Sequence, residues 1–429
     1  MATIVALSIF LISYTAIITE KMNRAFAACV GGLLMTLTGI VDVDDMLFRY
    51  IDWETIVLLF SMMVIVSITS ANGVFEFAAV VLAQKVLGKP LPLLFMFASL
   101  TALGSAFLDN VTTVLLLVPI VLTITDILAL PAVPYLTAII VFSNIGGTAT
   151  LIGDPPNIMI GQKVEHLGFN DFLVNLAPVV ILIYAIVIVL FLLIYRRSLK
   201  TSKTNRLRLM NVDPASYLRK GPALMRSVTV LLLTICGFLF HPFFHVELVT
   251  VAMAGALLLV LLTYGRMNLE SVFRSVEWMT LLFFAGLFML VGGLQEAGVI
   301  DEMAKSILFY TEGDIQKTAL FILWGSGLIS GFVDNIPFVA AMIPVILEFR
   351  DYGMMNVDPL WWALSLGSCL GGNATLIGAS ANVIVAGLAS KHRQPLPFFQ
   401  FMKTGLLVVL LSLVISSIYL YFRYLVDFH

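Results

Sequence analysis

The chain repeats itself at a constant spacing, and this repeat constrains its fold more than any other feature. Trp53 recurs as Trp278, and the two copies align without a gap. The strongest match pairs residues 143–157 with residues 368–382, where nine of fifteen positions are identical. Chance similarity between apolar segments reuses Leu, Val and Ile, whereas here Gly-Gly and Asn stand in register. The sequence therefore predicts two similar halves.

Apolar runs of about 20 residues, the length of a membrane-crossing helix, recur along nearly the whole chain. Of its 429 residues 60% are apolar and 12% charged, against roughly 45–50% and about 25% in soluble domains. This composition excludes a water-soluble enzyme, and a net charge of −2 gives no basic field for nucleic acid. We expect an all-α polytopic protein of the lipid bilayer with about ten full spans. Runs broken by Gly, Pro, Asp or Asn indicate re-entrant pieces and discontinuous helices.

The charge distribution predicts the topology. The segment 196–226 contains nine basic residues and one acid, so the positive-inside rule places this loop in the cytoplasm. Lys21 and Arg24 follow the first apolar run, which is the reverse of a cleavable signal peptide, so that run is interpreted as a retained span. Lys21 and Arg24 follow the first apolar run of the first half and are also expected inside, so this half starts outside the cell. The basic loop precedes the equivalent run of the second half, so that half starts inside, and the two halves insert in opposite orientations. The predicted units of this multi-pass cell-membrane protein are a first inverted repeat (1–197), a basic linker (198–226) and a second repeat (227–429).

Two acidic motifs occupy matching positions in the halves. Asp109-Asn110 with Thr112 corresponds to Asp334-Asn335, and each motif lies between apolar runs. A carboxylate inside the membrane costs roughly 2.5–3.5 kcal/mol on insertion scales and is retained mainly where it is paired, protonated or faces a cavity. The alternative is a helix N-cap, which contributes about 1 kcal/mol without any transport role. The two roles are compatible.

Two glycine-rich polar clusters form the second constellation. Gly-Gly pairs allow a helix to unwind and direct carbonyl groups toward a ligand, and the neighbouring Asn and Thr side chains add oxygens. The alternative is close helix packing through small residues. Asp154, followed by two prolines, is either a loop residue or a functional acid. The predicted substrate- and ion-binding residues are Asp109, Asn110, Thr112, Asn144, Gly146, Gly147, Thr148, Thr150, Asp334, Asn335, Gly371, Gly372, Asn373 and Thr375.

These motifs resemble the ion transporter superfamily, in particular its branch of arsenite efflux pumps, sodium/proton antiporters and the pink-eyed-dilution protein. The resemblance implies inverted repeats with re-entrant hairpins, discontinuous helices and a transport domain that moves across a scaffold. It implies hairpin tips at Asp109 and Asp334 and helix breaks at 146–150 and 371–375. In dicarboxylate relatives a Ser-Asn-Thr tip binds sodium beside a dianion. Here Asp replaces that Ser, so the site is expected to repel dianions.

The favoured function is proton-coupled efflux of arsenite or antimonite, because arsenite near neutral pH is mostly uncharged As(OH)3. Amide, hydroxyl and carbonyl groups can bind such a trihydroxide, whereas a three-thiol site would need Cys29, Cys236 and Cys369 to be gathered. Sodium/proton antiport is the first alternative, followed by dicarboxylate symport or a passive channel. The expected partners are a small inorganic solute and protons or sodium. No catalytic residue or cofactor is expected, and the sequence leaves a metal site and an ATPase subunit open.

Overall fold

The computed structural model describes residues 2–19, 22–219, 221–265 and 269–426. Lys21, used above for the topology, and Lys220 of the basic linker lie outside the described residues. The first half contains the helices α1 (Ala2–Ile18), α2 (Arg24–Leu37), α3 (Val43–Asp45), α4 (Trp53–Ser70), α5 (Val74–Lys85), α6 (Pro90–Leu108), α7 (Asn110–Leu128), α8 (Val133–Gly147), α9 (Pro155–Lys163) and α10 (Phe169–Tyr195).

The second half repeats this series of helices in the same order. The linker between the halves contains the short helix α11 (Lys203–Met210), which packs against α7. The remaining helices are α12 (Pro222–Phe244), α13 (Leu248–Thr263), α14 (Leu269–Ser275), α15 (Trp278–Glu296), α16 (Val299–Thr311), α17 (Ile315–Ser330), α18 (Asn335–Asp351), α19 (Asp358–Gly371), α20 (Ser380–Lys391) and α21 (Phe398–Leu420). Each of α12 to α21 therefore corresponds to one of α1 to α10.

The outward helix faces are apolar. Seven described helices are long and apolar enough to cross a membrane, and α1, α2, α8 and α13 are shorter apolar helices. In the most apolar window of α12 only 22% of residues are buried, and Phe243 of this helix is 77% exposed. Large apolar side chains at such a surface are stable in lipid and unfavourable in water. The predicted all-α polytopic membrane fold is confirmed.

Each half contains a helical hairpin and an interrupted helix. In the first half α6 and α7 pack together and are joined at Asp109, and in the second half α17 and α18 form the matching hairpin. The interrupted helix of the first half consists of α8 and α9, which are separated by a break at residues 148–154. That of the second half consists of α19 and α20, which are separated by a break at residues 372–379. Pro155 and Pro156 begin α9, where a missing N–H costs no intrahelical bond.

The glycine pairs lie at the ends of helices. Gly146 and Gly147 are the last residues of α8, so the first break begins two residues later than predicted. A Cβ on Gly146 would lie 2.1 Å from Ala102 O, and a Cβ on Gly371 would lie 2.4 Å from Gly327 O. The close packing that the sequence left open is therefore present: the glycines let α8 approach α6 and let α19 approach α17.

The helices form two groups. In the outer group α2 packs against α1 and α15, and α13 packs against α4 and α12. In the inner group the hairpins and interrupted helices of both halves interlock, with α7 against α20 and α18 against α9. Each hairpin thus contacts the interrupted helix of the opposite half, which brings the predicted site residues of both halves together.

Candidate substrate and ion site

The peptide carbonyls freed at the two breaks are bound by equivalent asparagines. Asn157 and Asn382 occupy the same position in the two copies of the repeat, and both are completely buried. Each side-chain amide donates two hydrogen bonds to carbonyls of its own half: Asn157 to Thr148 O at 3.2 Å and Thr150 O at 2.9 Å, and Asn382 to Gly372 O at 2.7 Å and Thr375 O at 2.9 Å. These bonds allow irregular backbone to persist inside the protein.

Threonine hydroxyls fasten each break to the adjacent hairpin. Thr150 Oγ1 donates to Ala106 O near the end of α6. Thr375 Oγ1 donates to Gly331 O over 2.7 Å, which is the matching contact in the second half. Both hydroxyls are predicted site residues, and in this structure each is engaged by the protein itself.

Asn144 connects the two halves at the centre of the inner group. Its amide donates to Asn373 Oδ1 and to Asn382 Oδ1, both at 3.0 Å. Its Oδ1 accepts a hydrogen bond of 3.1 Å from Asn110, at the first hairpin tip. Cys369 holds the equivalent position in the second half, and its thiol donates to Asn157 Oδ1 at 3.6 Å. The two halves are thus joined by a pair of equivalent, crossed hydrogen bonds.

Asp109 caps α7 and has no basic partner among the described residues. Its Oδ1 accepts from Thr112 N at 2.7 Å, and its Oδ2 accepts from Thr112 Oγ1 at 2.8 Å. The backbone adopts φ 71° and ψ 157°, a region that favours glycine. The capping role is therefore present, and backbone strain at this tip accompanies it.

Asp334 has a different environment from Asp109. It caps α18 through a 3.3 Å bond from Ile336 N, and its Oδ2 lies 3.1 Å from Arg24 Nη1. Ser380 Oγ donates to the same Oδ2 at 2.7 Å, and Arg24 also contacts Ser380. Asp334 is therefore compensated by a positive charge from the outer group.

Asp154 is completely buried in the first break, at the position of Ala379 in the second half. Its Oδ1 accepts a 3.4 Å hydrogen bond from Asn335 of the second hairpin tip, and its Oδ2 has no hydrogen-bond partner in the described chain. Neither oxygen lies in an ion pair with a described basic residue. The sequence left open whether Asp154 is a loop residue or a functional acid. The structure places it between the two halves.

Two cavities adjoin the hairpin tips. One of about 220 Å³ is lined by Arg24, Asp334, Ser380 and apolar side chains. Another of about 340 Å³ is lined by Thr112, Glu277 and several serines. Both reach residues that contact a hairpin acid.

The structure brings together most of the predicted polar residues but not the cysteines. Cys236 is exposed and Cys369 is buried against Asn157. Among the described residues no group of three or more His, Cys, Asp or Glu side chains could hold a metal ion. The predicted site omitted Asn157, Asn382, Arg24 and Ser380. The repeat alignment already contained the two asparagines in register, whereas no local pattern links Arg24 to Asp334.

The sequence profile of the citrate transporter family, CitMHS, matches residues 14–367. The chain belongs to this family. A 46 kDa membrane protein of Mycobacterium leprae is 38% identical over 99% of both chains, and an uncharacterized transporter of Mycobacterium tuberculosis is 37% identical over 100% of both. The human P protein is 33% identical, and the match covers 95% of this chain and 58% of that protein. The predicted superfamily is thereby confirmed, and the chain is a membrane transporter.

The fold is also similar to that of a solved transporter. The crystal structure of the Alcanivorax borkumensis YdaH transporter matches with a TM-score of 0.58 over 98% of this chain and 97% of that one. The two sequences are 14% identical, so this similarity concerns the fold alone.

Proposed function

We propose that the protein is a secondary active transporter that exchanges protons for a small inorganic solute, with arsenite and antimonite as the first candidates. The burial of Asp154 supports this proposal most directly. An ionised carboxylate without a counter-charge is unfavourable in a desolvated interior, so such a group takes up a proton or a cation. Asn335 of the second hairpin donates a hydrogen bond to the same acid, so a change in the charge of Asp154 is felt at the interface between the halves.

The chemistry around Asn144 supports a neutral hydroxide as the solute. The side-chain amides of Asn110, Asn144 and Asn373 are buried together, and hydrogen bonds join Asn110 to Asn144, Asn144 to Asn373, and Asn373 to the carbonyl of Val141. As(OH)3 offers hydroxyl groups that can both donate hydrogen bonds to amide oxygens and accept them from amide N–H groups. The dispersed cysteines do not support a three-thiol As(III) site.

Sodium/proton antiport is the second candidate. The observation that favours it is the cavity of about 340 Å³ beside Thr112 and Glu277, close to the Asp109 cap. Carboxylate and hydroxyl oxygens are suitable ligands for a hard cation.

Citrate or dicarboxylate symport ranks third, although the family description names citrate. Three carboxylates, those of Asp109, Asp154 and Asp334, lie at the hairpin tips and in the first break. Arg24 is paired with Asp334, whereas Asp109 and Asp154 have no basic partner among the described residues. An anionic substrate would be repelled by Asp109 and by Asp154 whenever these acids are ionised.

We further propose that the segment 196–226 faces the cytoplasm and that the functional halves are 1–197 and 227–429, joined by the linker 198–226. Ser202→Cys in a cysteine-free background, probed with a membrane-impermeant maleimide, should react in inside-out vesicles and not in intact cells. Reaction in intact cells would reverse the orientation. A requirement for an ATPase partner would appear as transport in vesicles only after ATP is added.

The decisive experiment measures proton counter-flux in everted vesicles with a pH-sensitive dye. Arsenite, antimonite, sodium, lithium and citrate are added separately, and vesicles without the protein are the control. Saturable counter-flux with arsenite and antimonite supports the first candidate, and a response to sodium or lithium alone replaces it with the second. A response to citrate alone supports symport, and a non-saturable ohmic current indicates a channel.

A further inference from the structure

The ion pair between Arg24 and Asp334 joins the two groups of helices. Arg24 begins α2, which packs against α1 and α15 in the outer group. Asp334 and Ser380 belong to the second hairpin and the second interrupted helix of the inner group. The guanidinium also lies 5.2 Å from the centre of the Phe283 ring on α15, which orients it toward the acid. Arg24 of the outer group therefore forms an ion pair with Asp334 of the inner group.

The arginine has no equivalent in the other half. In the alignment of the two copies, the residue that corresponds to Arg24 is Val249. Asp109, the equivalent of Asp334, is bound by Thr112, and Asp154 is bound by Asn335. Within the described chain only one of these three acids therefore has a fixed counter-charge, and the two hairpins are electrostatically different.

A solute can approach this ion pair. The side chains of Arg24 and Asp334 are 29% and 12% exposed, and both line the cavity of about 220 Å³. Other ionisable groups are also nearby: Tyr14 of α1 and Asp154 interact electrostatically with Asp334, and Glu277 interacts with Arg24. An incoming cation thus competes with one positive group for Asp334.

We propose that Arg24 is a built-in counter-ion of Asp334 that takes the place of a bound cation or proton and holds the two helix groups in the arrangement seen here. When Asp334 takes up a proton or a small monovalent cation, its attraction to Arg24 weakens and the inner group is released. When that cation leaves, Arg24 returns and the carboxylate is neutralised without a transported ion. The inference deepens the proposed function, because it assigns Arg24 as a positioning residue of the coupling site.

The test compares Arg24→Gln with wild type in mildly acidic and mildly alkaline buffer. Without the guanidinium, ionised Asp334 lacks a counter-charge, so the variant needs a proton on this acid. The thermal unfolding midpoint of purified Arg24→Gln should therefore fall as pH rises, and sodium should raise it again. Removing an opposite charge at this distance shifts the protonation equilibrium of a carboxyl by about one to three pH units. Solute flux of Arg24→Gln should therefore fall by about tenfold or more in the alkaline buffer, while flux in the acidic buffer is retained.

Second-site variants identify the acid responsible. Adding Asp334→Asn to Arg24→Gln should abolish the fall of the unfolding midpoint with rising pH. Adding Glu277→Gln instead should leave that fall in place. Arg24→Lys keeps the charge and should resemble wild type. Arg49→Gln is the matched control, because Arg49 pairs with Glu296 at the same distance of 3.1 Å on an exposed surface.

The outcomes separate this inference from the proposed function. An Arg24→Gln profile identical to wild type, or a profile corrected by Glu277→Gln and not by Asp334→Asn, overturns the counter-ion role. If Arg24→Gln fails to accumulate, accumulation of the double variant with Asp334→Asn supports the role and its absence overturns it. If wild type moves none of the tested solutes, the proposed function fails, while the unfolding midpoints still decide the role of Arg24.

Discussion

Asn335 Nδ2 donates a hydrogen bond of 3.4 Å to Asp154 Oδ1, and this contact joins the second hairpin tip to the first helix break. In the first half the equivalent amide, that of Asn110, binds Asn144 instead. The difference follows from the sequence, because Cys369 replaces an asparagine at the position equivalent to Asn144. The second hairpin amide therefore binds an acid, and this acid is where we expect coupling to be most sensitive.

Asp154→Asn should fold and insert but lose proton-coupled flux, because the amide fits the same space and can no longer exchange a proton. Solute counter-flow without a pH gradient should persist and should no longer depend on pH. Everted vesicles with a pH dye measure the first property, and isotope counter-flow measures the second.

Asp126→Asn is the matched control for Asp154→Asn, since Asp126 is an exposed acid on α7. It should retain wild-type coupling. Normal pH-dependent flux in well-inserted Asp154→Asn would exclude Asp154 as the proton carrier.

Asp109 should show separate contributions to stability and coupling. Asp109→Ala removes both hydrogen bonds to Thr112 and should lower the free energy of unfolding by about 1 kcal/mol. Asp109→Asn keeps a capping oxygen, so it should be nearly as stable as wild type while losing coupled flux. Unfolding midpoints and vesicle flux measured on the same preparations distinguish the two effects. Full coupling in Asp109→Asn would leave only the cap role.

Gly146→Ala should reduce the amount of folded protein, because the added Cβ would lie 2.1 Å from Ala102 O. Overpacking of this kind costs about 1–3 kcal/mol or more. Gly387→Ala on α20 is the control, since its Cβ would have no neighbour within 4 Å, and it should stabilise the helix by up to about 1 kcal/mol. Thermal stability in detergent measures both. Equal stability of the two variants would contradict the packing role.

The sequence predicted the spacing of the halves, the hairpin tips and the polar breaks because these features are local motifs placed in register. It left the role of the glycines open, because a close approach between α8 and α6 depends on how two helices cross and not on either sequence alone. The contact between Arg24 and Asp334 was missed for the same reason: 310 residues separate the partners, and Arg24 was informative only as a positive residue near a predicted membrane boundary. Asp154 was ambiguous because burial is a property of the assembled halves.

The last prediction concerns the solute, and it follows from the unequal groups at equivalent positions of the two breaks. Thr148 in the first break corresponds to Asn373 in the second, and Asn373 Oδ1 accepts from Asn144 while Thr148 Oγ1 donates to Asn144 O. A site built to hydrogen-bond hydroxyl groups discriminates strongly against ligands that lack them. Asn373→Ala should therefore weaken arsenite and antimonite transport together, by about tenfold if one hydrogen bond of roughly 1.4 kcal/mol is lost.

A variant with Cys29, Cys236 and Cys369 all changed to Ser should retain substantial arsenite flux, since the hydroxyl that replaces the buried thiol can still donate to Asn157. Complete loss of arsenite flux in that variant, with a normal unfolding midpoint, would show that sulfur is essential and would contradict hydroxide recognition.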